Sequence, residues 1–303
     1  MLGGSEMKRR DFLKNTSMGM AAVAGPAAAS ASSRGDREGN SAGISGQGLP
    51  ETHKRLKDYK RGRFKRLVIL GESTVQGGPW LERQEDRYAD VLVRLINACQ
   101  KEPLEYHNKG ISANSISPRS PGYAQSAKPS ALERYHKDVI ELQPDLFILA
   151  YGLNDMRAGM PLTDFREDMA TIIRDVQKAC SPVTVLTTVY YMTGYKSWAP
   201  FNRGSVELTR RYNDCIRGLA SEFDCILADV WVSEGLADWL INYDGVHANK
   251  VGELLIGNRI FEALAQHASG LSDWTFERDR DTEWSQMARK KRAEAGDPFE
   301  KTW

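Results

Sequence analysis

Four short, nearly unbroken apolar runs constrain this chain more than any other feature. They are Arg66 to Leu70 (RLVIL), Asp145 to Ala150 (DLFILA), Val183 to Val189 (VTVLTTV) and Cys225 to Val230 (CILADV). Each has the length and branching of a strand buried on both faces. A weaker strand is expected over 104–108. Helical patterns lie between the runs. Over 86–99, Tyr88, Val91, Leu92, Leu95, Ile96 and Cys99 recur at three and four residues, which gives one apolar helical face. Over 164–180, Phe165, Met169, Ile172, Ile173 and Val176 do the same, and Asp164 with Glu167 offers a capping box. Further helices are expected over 130–142, 205–221 and 249–267, the last with Val251, Leu254, Leu255, Ile260 and Leu264 as its apolar residues. Continuous apolar strands alternating with helices predict an α/β fold, a parallel sheet covered on both faces. Ligands bind such sheets beyond the carboxyl ends of the strands.

The ends of the chain read differently. Residues 7–14 are basic, Met18 to Ala24 is mildly apolar, and a small-residue run follows Pro26. That order is the pattern of a secretory signal peptide over residues 1–31. The pair Arg9-Arg10 followed by Asp-Phe-Leu-Lys resembles the twin-arginine type, which implies a periplasmic or extracellular location in a bacterium. Residues 32–65 read as a flexible linker and basic lead-in, 66–270 as the folded domain, and 271–303 as a charged C-terminal extension containing Trp274, Trp284 and Trp303. No apolar run approaches the ~20 residues that span a bilayer, so no membrane insertion is expected once the signal is removed. Lys+Arg is 41 against Asp+Glu 40, so no basic excess exists to neutralise nucleic-acid phosphates. The four cysteines lack metal-ligand spacing, and no cofactor motif is found. They read as small buried residues, with Cys215 and Cys225 the first candidates if a disulfide forms in an oxidising compartment.

The turns after the strands carry the chemistry. Gly71-Glu72-Ser73-Thr74 follows the first, Asn108-Lys109-Gly110-Ile111 the weak second, and Gly152-Leu153-Asn154-Asp155 the next. Asp244-Gly245-Val246-His247 precedes the last helix. Of the five histidines, only His247 sits in a glycine-bearing turn with an aspartate three residues before it. A serine hydroxyl is a poor nucleophile until a base takes its proton. A histidine oriented by a carboxylate is the usual base.

This ordered set resembles the SGNH hydrolases, or GDSL-type esterases, over residues 66–267. The resemblance implies a three-layer α/β/α sandwich with a flavodoxin-like parallel sheet, and hydrolysis of carboxylic esters. It implies Ser73 as nucleophile, His247 as acid-base and Asp244 as its orienting partner. It also implies an oxyanion hole formed by the backbone N–H of Ser73, the backbone N–H of Gly110 and the side-chain amide of Asn154. The family usually has Gly-Asp-Ser at the first mark, whereas Glu72 stands here; local repacking around the longer side chain is expected.

The loop Tyr190 to Arg203 mixes aromatics, among them Tyr195 and Trp198, with polar residues, and Trp80 lies soon after Ser73. Aromatic faces beside hydrogen-bonding groups suit sugar rings better than acyl chains. With export, this favours a carbohydrate esterase that removes acetyl groups from an oligo- or polysaccharide. A lipid or small-ester hydrolase is the alternative within the same chemistry. A catalytically silent carbohydrate-binding module is the alternative of another class. Composition carries no reading of oligomeric state.

Overall fold

A computed structural model describes residues 56–297. The expected signal peptide and most of the linker lie outside the described residues, which comprise the folded domain, the end of the lead-in and most of the C-terminal extension. In chain order the elements are β1 (Arg66–Gly71), α1 (Ser73–Gln76), α2 (Tyr88–Ala98), β2 (Glu105–Gly110), α3 (Ala131–Asp138), β3 (Leu146–Ala150), α4 (Leu153–Ala158), α5 (Leu162–Cys180), β4 (Val183–Thr187), α6 (Val206–Glu222), β5 (Ile226–Ala228), α7 (Val230–Glu234), α8 (Lys250–His267), α9 (Gly270–Arg280) and α10 (Glu283–Glu294).

The five strands form one sheet in the order β2-β1-β3-β4-β5. All pairings are parallel, with Gly71 opposite both Gly110 and Ala150. β1, β3 and β4 are the apolar runs of the sequence, and all their residues but Arg66 are buried. β2 (EYHNKG) lies at the sheet edge and is only half-buried, so it carries no continuous apolar run. α2 and α8 pack together on one side, while α3, α5 and α6 succeed one another on the other. The result is the α/β/α sandwich expected from the sequence. The chain order turns back at β1, with β3 on its other side, and ligand crevices of doubly wound sheets open at such a switch point.

Three local expectations change. Asp164 and Glu167 do not cap α5, whose N-cap is Pro161. Both bond instead to Arg119, from a distant loop. The capping box forms on α3, between Ser130 and Glu133. On α8, Val251 and Leu254 are exposed. The buried stripe runs through Gly252, Ile256, Gly257 and Ile260, because α2 comes so close that a Cβ on Gly257 would lie 2.8 Å from Val91.

Packing also begins ahead of Arg66. Phe64 is fully buried, and its N–H donates to Gln100 Oε1 at 2.6 Å. Tyr59 donates its hydroxyl to Asp224 and its N–H to the His267 carbonyl. All four cysteines are free thiols. In the extension, α9 buries only Gly270 and Leu271, and α10 buries nothing.

Candidate active site

Ser73 stands where β1 turns sharply into α1. Gly71 makes that turn possible, since a Cβ there would lie 2.2 Å from Val75 and 2.9 Å from the Ala150 carbonyl. The turn points Ser73 Oγ at His247 Nε2, 2.9 Å away, although the two residues are far apart in the chain.

The His247 turn is built by Asp244. One carboxylate oxygen accepts the N–H groups of Val246 and His247, at 2.8 and 2.9 Å. The other lies 2.6 Å from His247 Nδ1. A carboxylate only accepts, so Nδ1 carries the proton and Nε2 is left to accept from Ser73. Gly245 permits the bend at φ +73, and its carbonyl is held by the N–H groups of Thr193 and Gly194. Burial alone would raise the pKa of Asp244, but the His247 and Val246 hydrogen bonds outweigh it and hold the carboxyl below its usual range. For His247, burial is the largest influence and lowers the pKa. The Asp244 bond and charge oppose it, Arg157 adds to it, and the net result lies below 6.5. The ring is therefore neutral near pH 7, as a base must be. Trp80 stacks on it, with centroids 3.6 Å apart and planes 11° apart.

Glu72, the departure from the family pattern, proves to be a clamp. Its side chain is buried, and Oε1 accepts the N–H groups of Gly152 and Leu153 at 2.8 and 2.9 Å while Oε2 accepts that of Asn154 at 2.9 Å. It thereby satisfies the N–H donors that have no partner within the helix at the start of α4 and ties the Ser73 turn to the Asn154 turn. Burial and the charge of Asp155 push its pKa up against these three bonds. Asp155 accepts the Ile116 N–H and so anchors the loop that follows β2. Asn154 donates from Nδ2 to the Asn114 carbonyl at 2.9 Å, which orients the amide and leaves its second proton free.

Ser73, Asn154, Asp244 and His247 line a cavity of about 420 Å³ that also holds Trp80, Arg157 and the loop Trp198 to Phe201. Two expected residues are not there. Gly110 is the last paired residue of β2, and its N–H donates to Asn108 Oδ1 at 2.9 Å. Its lack of a side chain serves close packing, since a Cβ would lie 2.2 Å from the Gln76 nitrogen. The cavity position belongs to Ala113, three residues further on, at φ +51. Tyr195 packs against the core and edge-on to Tyr191 instead of lining the cavity. Sequence reasoning misses Arg157, although its spacing of three from Asn154 on one helix face is a usable signal. Among the described residues, no group of three or more His, Cys, Asp or Glu is placed to hold a metal ion.

The arrangement fits acyl transfer: a hydroxyl bonded to a neutral imidazole, an orienting carboxylate, and the Asn154 amide in the same cavity. A model of the GDSL-like lipase/acylhydrolase family matches residues 69–254, more than half of the chain. A search of curated proteins found no match. Among solved structures, a lipase/acylhydrolase from Enterococcus faecalis superposes with a TM-score of 0.53 at 20% identity, covering 65% of this chain and 94% of that one. An acetylxylan esterase from Geobacillus stearothermophilus gives 0.53 at 18%, covering 69% and 99%. An α/β hydrolase from the metagenome of Lake Arreo gives 0.52 at 19%, covering 68% and 97%. At these identities the likeness speaks for the fold. The matched segment contains the Ser73, Asn154, Asp244 and His247 turns, and the chain belongs to the GDSL-like lipase/acylhydrolase family and is an ester-hydrolysing enzyme.

Proposed function

We propose that this enzyme is an exported carbohydrate esterase that removes acetyl groups from an oligo- or polysaccharide, with Ser73 as nucleophile. The observation that carries the reading is the continuous relay from Ser73 Oγ through His247 to Asp244, at 2.9 and 2.6 Å. His247 Nε2 takes the hydroxyl proton as Oγ attacks the ester carbonyl, and returns it to the departing sugar hydroxyl. Water, activated by the same imidazole, then releases acetate from the serine. The developing oxyanion is met by the N–H groups of Ser73 and Ala113 and by Asn154 Nδ2, with Ala113 in the role expected of Gly110. The Trp80 face stacked on the imidazole favours the imidazolium formed at each transfer.

Two features support a sugar over a long acyl chain. The cavity wall combines Trp80, Trp198 and Phe201 with Ser112, Gln125 and Arg157. The superposed Geobacillus enzyme is an acetylxylan esterase. The case for export rests on residues 7–31 of the sequence.

The decisive experiment measures acetate release from acetylated xylan, and hydrolysis of nitrophenyl esters of rising chain length, by the native enzyme and its Ser73→Ala and His247→Ala variants. Each variant should lose most turnover while staying folded, because triad members act as a unit. Preference for acyl chains of eight carbons or more would turn the reading towards lipid esters. Failure of the folded protein to react with a fluorophosphonate would turn it towards a silent binding module. Arg9→Lys with Arg10→Lys should retain the protein in the cytoplasm; unchanged export would remove that part of the reading.

A further inference from the structure

The catalytic cavity contains a buried cation with no anion hydrogen-bonded to it among the described residues. Arg157, on α4, is only 3% exposed. Its Nη2 donates to Ser197 Oγ at 2.7 Å. The guanidinium carbon lies 5.3 Å from the Trp198 ring centroid and 5.7 Å from that of Phe201. Nε is buried without a partner among the described residues. The carboxylates whose charge reaches it, Glu72 and Asp244, are both engaged elsewhere, with the α4 N–H groups and with His247. Arg134 offers the contrast within the same molecule. It is equally buried and its Nε too has no partner among the described residues, but Asp138 lies 2.8 Å away and three oxygens accept from its Nη2.

Placing a guanidinium out of water without a carboxylate is costly. Two aromatic faces offset part of that cost, but they leave in-plane N–H donors unused. Arg157 lines the same cavity as Ser73 and His247, and with Nε buried it is the Nη edge of the guanidinium that a ligand there can reach. A guanidinium presents its donors as a planar fork that matches a carboxylate. An acetyl group is small and neutral and has no use for such a fork, so the anion must sit on the alcohol half of the ester.

We propose that Arg157 is a specificity-determining residue that binds a carboxylate on the sugar of the substrate, so that the preferred ester is an acetylated uronate-type sugar. This rests on the carbohydrate-esterase reading above and narrows it. Trp198, beside the guanidinium and largely exposed, supplies the face for the sugar ring, and Ser197 Oγ accepts one bond from the fork.

The test uses two methyl glycosides acetylated at the same hydroxyl, one of glucose and one of glucuronic acid, with acetate release as the readout and 4-nitrophenyl acetate as the reference ester. The native enzyme should favour the glucuronide in kcat/KM by ~10-fold or more, the scale of a charge-assisted bond. Raising ionic strength should shrink that ratio, and methyl glucuronide should inhibit 4-nitrophenyl acetate hydrolysis where methyl glucoside does not. R157Q should lower the ratio by ~10-fold or more whatever it does to either substrate alone, and R157K should retain part of it, as a point charge without the fork. A native ratio within about twofold of one, less than half a kcal/mol, or a ratio that survives R157Q, overturns the proposal. If R157Q does not fold, the native ratio, its salt dependence and the inhibition pattern decide. Turnover of 4-nitrophenyl acetate without uronate preference overturns only this inference. Turnover of no ester overturns the esterase reading with it.

Discussion

Removing the Glu72 carboxylate tests whether the two halves of the site are held together from beneath. In Glu72→Ala, the N–H groups of Gly152, Leu153 and Asn154 lose their acceptors in a place that is fully buried. Leaving a buried N–H without an acceptor costs ~1–3 kcal/mol. The three share one acceptor group and do not add, so the loss should be about 3–5 kcal/mol. That is a large part of the ~5–15 kcal/mol that stabilises a typical domain. Glu72→Asp is the finer probe. The carboxylate retracts by roughly one C–C bond, about 1.5 Å. Either the bonds of 2.8–2.9 Å open, or α4 follows and carries Asn154 with it. A displacement of ~1 Å in a catalytic group costs ~10²-fold in rate. We expect Glu72→Asp to lose about 1–2 kcal/mol and ten-fold or more in kcat. Urea unfolding followed by tryptophan fluorescence, with kcat on 4-nitrophenyl acetate measured in parallel, reads both quantities. If Glu72→Ala keeps the native urea midpoint and a kcat close to native, the clamp is not what positions Asn154.

Asn154→Ala should lower kcat by ~10²–10³-fold with little change in KM, the usual effect of losing one oxyanion donor; a loss below tenfold would show that Ser73 and Ala113 suffice. The kcat/KM profile should have an acid limb with its midpoint below 6.5, because burial lowers the His247 pKa. Below that pKa the imidazolium cannot take the Ser73 proton, so the rate should fall ~tenfold per pH unit, and a midpoint above 6.5 would contradict the geometry. Glu234 and Glu253 lie buried on α7 and α8, and burial, joined for Glu234 by the charge of Glu253, pushes each up to about 8 from 4.5. Between those values the folded state holds protons that the unfolded chain has released, so stability must fall as pH rises from 4.5 to 8. Among the described residues Glu234 has no hydrogen-bond partner on either carboxyl oxygen, so Glu234→Gln should flatten that slope in urea titrations at pH 6 and pH 9; an unchanged slope would assign the effect elsewhere.

The parts of the molecule legible in the sequence are those whose signal is local. β1, β3 and β4 declare themselves because a strand buried on both faces leaves no room for polar alternation. The Asp244–His247 turn is legible because one carboxylate at a spacing of three both closes the turn and holds the ring. The features hidden from the sequence depend on partners distant in the chain. Asp164 and Glu167 carry a sound capping pattern, but Arg119 claims them. Glu72 reads as a conservative replacement until three N–H groups from the turn after β3 are seen to meet it.

Gly110 and Ala113 show the same division within one loop. A glycine after a strand suggests a turn that needs freedom of φ, yet Gly110 has no positive φ and is glycine only because α1 crosses it closely. The residue that does adopt the left-handed conformation is an alanine, which gives no such signal. Left-handed backbone costs ~1–2 kcal/mol for a residue with a Cβ, so something must hold Ala113 there. Its carbonyl accepts the Ala127 N–H at 3.0 Å, and the next residue, Asn114, is bound by the carbonyls of Ala127 and Pro129, by the Tyr151 hydroxyl and by Asn154 itself. Asn114 therefore connects two of the proposed oxyanion donors, the Ala113 N–H before it and the Asn154 amide that binds its carbonyl. A backbone strained at one donor and braced through the other is the kind of over-determined local structure that persists where its geometry is used, and in this cavity the use that fits is the oxyanion of an ester in transfer.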